Sequence, residues 1–105
     1  MTLAEFHTLL TTTQLPVAYL AFPADQCAEM PFIVYQETGS NNFGADNTVY
    51  FSARHIQIDL LSKKRDVDLE TILESVLTNA GIFWERVLEF DSNEDYFRVM
   101  YEVEI

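Results

Sequence analysis

The residues able to do chemistry are few, and their spacing limits what that chemistry is. There are two histidines, His7 and His55. On an extended segment His55 and Asp59 share one side with Gln57 between them, which has the composition of half a metal site. Positions four apart on a strand are separated by about 13 Å, too far for one ion unless the strand bends. The segment therefore reads as a solvated polar strand face. The single cysteine, Cys27, stands in Asp25-Gln-Cys-Ala-Glu29. A cysteine nucleophile needs a base and an oxyanion hole, and flanking acids raise a thiol pKa instead of lowering it. One cysteine also permits neither an internal disulfide nor a thiolate zinc or iron–sulfur cage. Carboxylate pairs such as Glu94-Asp95 and Glu102/Glu104 are expected from composition alone, and a glycosidase needs more chain to build its cleft. Phosphate loops, dinucleotide loops, serine elbows and zinc-helix motifs are all missing. Lys63-Lys64-Arg65 is the only basic cluster. It reads as a phosphate contact or, more simply, as a solvated turn balancing Asp66 and Asp68. Bases just before a helix oppose its dipole, which also leaves a protein–protein role open to them. No catalytic residue, metal or cofactor is expected.

The charge balance narrows the partners. Seventeen acids face six bases, a formal charge of −11 over 105 residues with a pI near 4.2. Binding to nucleic acid or an anionic membrane needs clustered Lys and Arg, so neither is an expected partner. Residues 1–65 hold six acids and four bases, net −2, whereas residues 66–105 hold eleven acids and two bases, net −9. That second part also carries clear periodicity, so it reads as a folded unit with a charged face. The first twenty residues contain Glu5 and no Lys or Arg, unlike a signal peptide. The longest apolar run, Pro16 to Pro23, falls well short of the ~20 residues that span a bilayer. An apolar fraction of 49% excludes a disordered tail. The expectation is a soluble, cytoplasm-compatible single domain over residues 1–105.

These side chains need elements to position them. Residues 2–12 read as a short helix, with Thr2 as cap, Glu5 three positions on, and Leu3, Phe6 and Leu10 on one face. Thr11 to Thr13 and then Pro16 stop it. Val17 to Phe22 reads as a strand, Pro23 to Gln26 as a turn, and Phe32 to Glu37 as a second strand. Gly39 to Asn47, the one Gly/Asn-rich stretch, reads as a long hairpin loop carrying an isolated aromatic, Phe43. Val49 to Leu61 reads as a long strand in which Ile56, Ile58 and Leu60 alternate with His55, Gln57 and Asp59. Asp66 to Ala80 has helical spacing at Leu69, Ile72, Leu73, Val76, Leu77 and Ala80. Acids stand at its positive end, and Gly81 is placed for a left-handed C-terminal cap. Ile82 to Phe90, a polar turn at Asp91 to Asp95, and Tyr96 to Ile105 form a closing hairpin. In its last strand Phe97, Val99, Tyr101, Val103 and Ile105 alternate with Tyr96, Arg98, Met100, Glu102 and Glu104.

The predicted order is α-β-β-β-α-β-β. The fold class is α+β: an antiparallel, curved, mainly four- to five-stranded sheet with two helices on one face and the other face open to water. Fourteen aromatic residues are spread through the elements, more than one face of a small sheet hides. The surplus marks either scattered surface aromatics or an interface, where Tyr, Trp and Phe are enriched.

Several stretches look alike to one family. Tyr19-Leu-Ala-Phe-Pro-Ala-Asp-Gln26, Pro31-Phe-Ile-Val-Tyr35 and Asn41-Asn-Phe-Gly-Ala-Asp-Asn-Thr-Val-Tyr50 resemble small proteins of long-tailed phages and prophages. So do Ile58-Asp-Leu-Leu-Ser-Lys-Lys64, the acidic helix and the last strand. The resemblance is to tail terminator or head–tail joining proteins and covers most of the chain. It implies a curved sheet flanked by helices and an assembly role in the virion, in the host cytoplasm during assembly. It also implies a ring of six copies that caps the tail tube and meets the head connector. Its partners would be its own copies, the tail tube protein and the head connector or stopper protein. The residues nominated for contact are Asn41, Asn42, Phe43, Asp46, Asn47 and Tyr50. Glu94, Asp95, Glu102 and Glu104 are nominated to line an acidic lumen that repels DNA and lets it slide. The competing reading is a DNA-mimic inhibitor of a DNA-binding enzyme, its carboxylates imitating phosphates. A small hydrolase is weaker still.

Overall fold

The computed structural model describes residues 2–22, 29–45, 48–91 and 96–105, with the backbone alone described at 40–45, 48–53 and 89–91. Helix α1 spans Leu3–Thr11. Its start is a complete capping box: the Glu5 N–H donates to the Thr2 hydroxyl at 3.1 Å, and the Thr2 N–H donates to the Glu5 carboxylate at 3.3 Å. At its end the hydroxyls of Thr11, Thr12 and Thr13 donate to the carbonyls of Thr8, Leu9 and Leu10. The threonines thus close the helix by hydrogen bonding as well as by β-branching. Gln14 follows with φ 67, a left-handed residue that turns the chain toward the sheet.

Helix α2 spans Val67–Asn79, capped by the Asp66 carboxylate, which accepts from the N–H groups of Asp68 and Leu69. Its far end is the expected glycine cap. Gly81 has φ +76, its N–H bonds the Thr78 carbonyl at 3.0 Å, and the Ile82 N–H bonds the Leu77 carbonyl at 2.9 Å. Ile82 and Leu77 are both in the core, so the cap and the packing hold the same turn.

Five strands form one sheet: β1 Val17–Tyr19, β2 Phe32–Ala45, β3 Thr48–Ser62, β4 Trp84–Asp91 and β5 Tyr96–Glu104, in the spatial order β1-β2-β3-β5-β4. The class, α+β, and the element order are those expected. The sheet is mostly antiparallel, but β1 departs from expectation by pairing parallel to β2, with Val17 opposite Ile33 and Tyr19 opposite Tyr35. The connection between them, residues 20–31, is twelve residues long, which is enough for the crossover that a parallel pair requires. β1 is also shorter than the sequence suggests. The Ala21 N–H bonds back to the Tyr19 carbonyl at 2.8 Å across Leu20, whose φ is 68. That is a γ-turn, a tight and strained reversal, and it ends the strand at Tyr19.

One face of the sheet is inner. Ile33 and Tyr35 of β2, Ile56, Ile58 and Leu60 of β3, and Val99, Tyr101 and Val103 of β5 are buried there against Phe6 and Leu10 of α1 and Leu73 and Leu77 of α2. The period-2 alternation read in β3 and β5 is the inward set. The outer face presents Val34 and Gln36, then His55, Gln57 and Asp59, then Met100, Glu102 and Glu104, then Glu85 and Val87. Among the described residues no helix is long and apolar enough to cross a membrane.

Candidate interaction surface

β2 and β3 are 14 and 15 residues long, while the strands on either side of them are much shorter. β5 reaches only as far along β3 as His55, with Arg54 and Ile105 exchanging the last two hydrogen bonds. β1 touches β2 only at residues 33–35. Beyond those points residues 39–45 and 48–53 pair, among the described residues, with each other alone, so the hairpin leaves the sheet as a two-stranded arm. Seven residues of extended chain make about 23 Å, and the molecule measures 50 × 29 × 26 Å.

The expected loop at Gly39 to Asn47 is therefore corrected: strand β2 runs through to Ala45. Glycine and asparagine are poor strand residues, which is why the stretch reads as a loop. The ladder survives because its irregularities fall beside the glycines. One register shift lies between Glu37 and Gly39 and another between Phe43 and Gly44, as β-bulges do where a strand must bend. At the first, the bulged Thr38 donates its hydroxyl to the His55 carbonyl at 3.4 Å. The ion pair Arg54–Glu37, 3.6 Å, lies at the root of the arm.

Of the nominated contact residues, Asn41, Asn42 and Phe43 lie on β2 of the arm and Tyr50 on β3; Asp46 and Asn47 lie outside the described residues. Register sets Asn41 opposite Ala53, Asn42 opposite Ser52 and Phe43 opposite Phe51. Tyr50 falls at the second bulge, between Val49 and Phe51. The arm thus gathers four of the six nominated positions.

A second feature lies on the inner side near β1. An open groove of about 510 Å³ is lined by Leu3, Ala4, His7 and Thr8 of α1 and by Tyr19 and Tyr35. The ring of Tyr35 organises it. His7 Nδ1 and the Tyr35 hydroxyl are hydrogen-bonded at 2.9 Å, and the rings of Phe6, His7 and Tyr19 all lie within 5.8 Å of the Tyr35 ring. The Tyr19 hydroxyl accepts from the Glu37 N–H at 3.4 Å. Burial, and secondarily the neighbouring Tyr19, push the Tyr35 phenol above its ordinary pKa. Next to the groove the strained γ-turn leaves Leu20 59% exposed. The sequence shows His7 on a helix and Tyr19 on a strand, and nothing local joins them. Only the parallel β1–β2 pairing brings Tyr19, Tyr35 and α1 together.

The acidic nominees separate. Glu102 and Glu104 are exposed on the outer face, while Glu94 and Asp95 lie outside the described residues. Glu102 stands opposite Glu85, a like-charge cross-strand pair that concentrates negative potential at one place. The Glu104 carboxylate lies 3.1 Å from His55 Nε2. The His55–Gln57–Asp59 row is occupied internally: Gln57 Nε2 donates to Asp59 at 3.1 Å. Among the described residues no group of His, Cys, Asp and Glu is arranged to hold a metal ion. Cys27 lies outside the described residues.

Sequence reading missed one polar centre entirely. Glu70 of α2 is 1% exposed and bonds Arg65 and Arg86, each at 3.3 Å. Arg86 also holds Glu74 at 3.0 Å, and the buried Tyr101 hydroxyl donates to Glu74 at 2.7 Å. Arg65 of the basic cluster therefore balances Glu70 and not the capping Asp66. The network straps α2 to β4 and β5, with every carboxylate matched to a cation or hydroxyl. Its geometry is that of a brace, open to no cavity among those described. No family model and no curated protein matches the chain.

Proposed function

We propose that the chain is a non-catalytic assembly subunit of a long-tailed phage or prophage, one that forms a ring on the end of the tail tube and joins it to the head connector. The observation that carries the reading is the arm. A two-stranded ribbon of this length is marginal in water by itself, so its persistence as a ladder makes sense if another protein surface completes it. The resemblance of the chain to tail terminator and head–tail joining proteins supports the same reading, as does the surplus of aromatic residues. In this role the partners are further copies of the chain, the tail tube protein and the head connector protein, and the location is the head–tail junction of the virion.

The competing DNA-mimic reading asks for carboxylates ranked along one face at phosphate spacing. The chain instead uses Glu5 and Asp66 as helix caps, Glu70 and Glu74 in a brace, Glu37 in an ion pair with Arg54, and Glu104 in contact with the His55 ring. The assembly reading accommodates those uses more easily.

The test is native mass spectrometry and light scattering of the purified chain over a wide concentration range, with and without tail tubes. Rings, free or seated on tube ends in electron micrographs, are expected. A strict monomer that leaves tube ends bare would sink the reading. Recovery of a DNA-binding enzyme from a bacterial lysate, with no tube protein, would favour the mimic.

A further inference from the structure

The net charge of −11 opposes any contact between copies, so the places where copies meet must be the places the charge avoids. Two stand out. Residues 38–53, the arm, hold Asp46 as their sole charged residue. Residues 1–22, which form α1, β1 and the γ-turn, hold Glu5 as theirs, besides His7. Elsewhere acids predominate, with Lys63-Lys64-Arg65 as the basic cluster and residues 75–84 uncharged. The open edge of the sheet at β4 carries Glu85, Glu89 and Asp91, so two β4 strands paired about a two-fold axis would bring acids together.

The two low-charge regions are also complementary in kind. The arm sets Phe43 opposite Phe51, next to Tyr50, on a ribbon to which no third strand is paired among the described residues. The α1–β1 groove is lined by Leu3, Ala4, Tyr19 and Tyr35, with His7 and Thr8 as its polar edge. Leu20 is held out beside it by a strained backbone. Strain of this sort is maintained where a side chain must be presented. Because arm and groove are different surfaces of one chain, their meeting is head-to-tail, the type of contact that closes rings.

We propose that the arm of one copy docks in the α1–β1 groove of the next, with Phe43 as its aromatic anchor. This contact rests on the ring reading above and specifies it: the occupant of the groove is a second copy of this chain and not the tube or connector protein.

The experiment uses full-length chains in a Cys27→Ser background. One carries Thr8→Cys, on the exposed groove lining, and the other Asn42→Cys, on the arm. Mixed at high concentration and treated with a short bis-maleimide, they are expected to give a covalent dimer. Neither is expected to give one alone, and Thr8→Cys mixed with Asp68→Cys, a control on α2, is expected to give none. Phe43→Ala, on an otherwise native chain, is expected to weaken self-association by about tenfold or more while keeping the circular dichroism of the parent. A cross-link in Asn42→Cys alone would mean arm-to-arm contact and would overturn the proposal. So would oligomers lacking the mixed cross-link, or a monomer at every concentration. The ring reading is judged separately: rings that form on tube ends without the mixed cross-link leave it standing and remove only the arm-in-groove contact.

Discussion

Glu70 is the residue on which most of the inner polar chemistry converges. It is buried, and its two oxygens are divided between Arg65 and Arg86. Each arginine side chain is about two-fifths exposed, so removing the acid leaves cations that water can reach, and the loss stays below that of a stranded buried charge. Glu70→Ala is expected to lower unfolding stability by about 2–3 kcal/mol in urea titrations. The arginines should not be equivalent. Arg86 serves Glu70 and Glu74 while Arg65 serves Glu70 alone, so Arg86→Met is expected to cost more than Arg65→Met. Tyr101 supplies a pH prediction. Burial first, and then its hydrogen bond to Glu74, raise its pKa above the ordinary 10.0; Tyr35 is raised too. A phenol whose folded pKa exceeds its unfolded one stabilises the fold fully below the unfolded value, and that stability is lost as pH rises beyond it. The melting temperature should therefore fall between about pH 9 and pH 11. Tyr101→Phe should flatten that decline while lowering stability near neutrality, which paired melts would read out.

At the scale of elements, the two helices and the arm differ in what holds them. α1 and α2 are closed at both ends by side chains or a glycine cap, and their inner faces lie in the core. The arm has neither advantage: among the described residues, 39–45 and 48–53 pair only with each other, and two bulges interrupt the ladder. Local opening should follow that difference. Amide hydrogen exchange in the free chain is expected to be fast along the arm and slow at Ile33, Tyr35, Ile56 and Ile58, with a step near His55, where β5 ends. Assembly should slow exchange in the arm and leave the core unchanged. Uniform slow exchange along all of β2 and β3 in the free chain would remove the argument that the arm needs a partner.

At the scale of the whole molecule, charge is the governing quantity. Copies carrying −11 repel over a distance set by the ionic strength, about 10 Å at 0.1 M and about 3 Å at 1 M. If the contact between copies lies on their low-charge regions, screening removes repulsion without weakening the contact itself. Self-association is therefore expected to strengthen with added salt, measurable by sedimentation. An association dissolved by salt would mean that ion pairs hold it. The outer face adds to this field, since Glu85 and Glu102 are opposed on it, and in a ring it is a candidate to face passing DNA.

Local pattern carried much of this. The capping box of Thr2 and Glu5, the acids at the start of α2, the Gly81 turn and the alternation of Ile56, Ile58 and Leu60 with polar neighbours are all short-range signals. Each worked because its cause lies within a few residues. The sequence by itself thus determined the element order and the α+β class. It did not determine the arm, because glycine and asparagine signal a loop locally, and the ladder that overrides them is a pairing between strands. Nor did it show the parallel seat of β1, the groove that joins His7, Tyr19 and Tyr35, or the brace around Glu70. Apart from Arg65–Glu70, those contacts link residues 12 to 28 positions apart, and no periodicity in one segment records what another segment will bring beside it. Only the tertiary structure decided them, because burial and pairing belong to the folded chain as a whole.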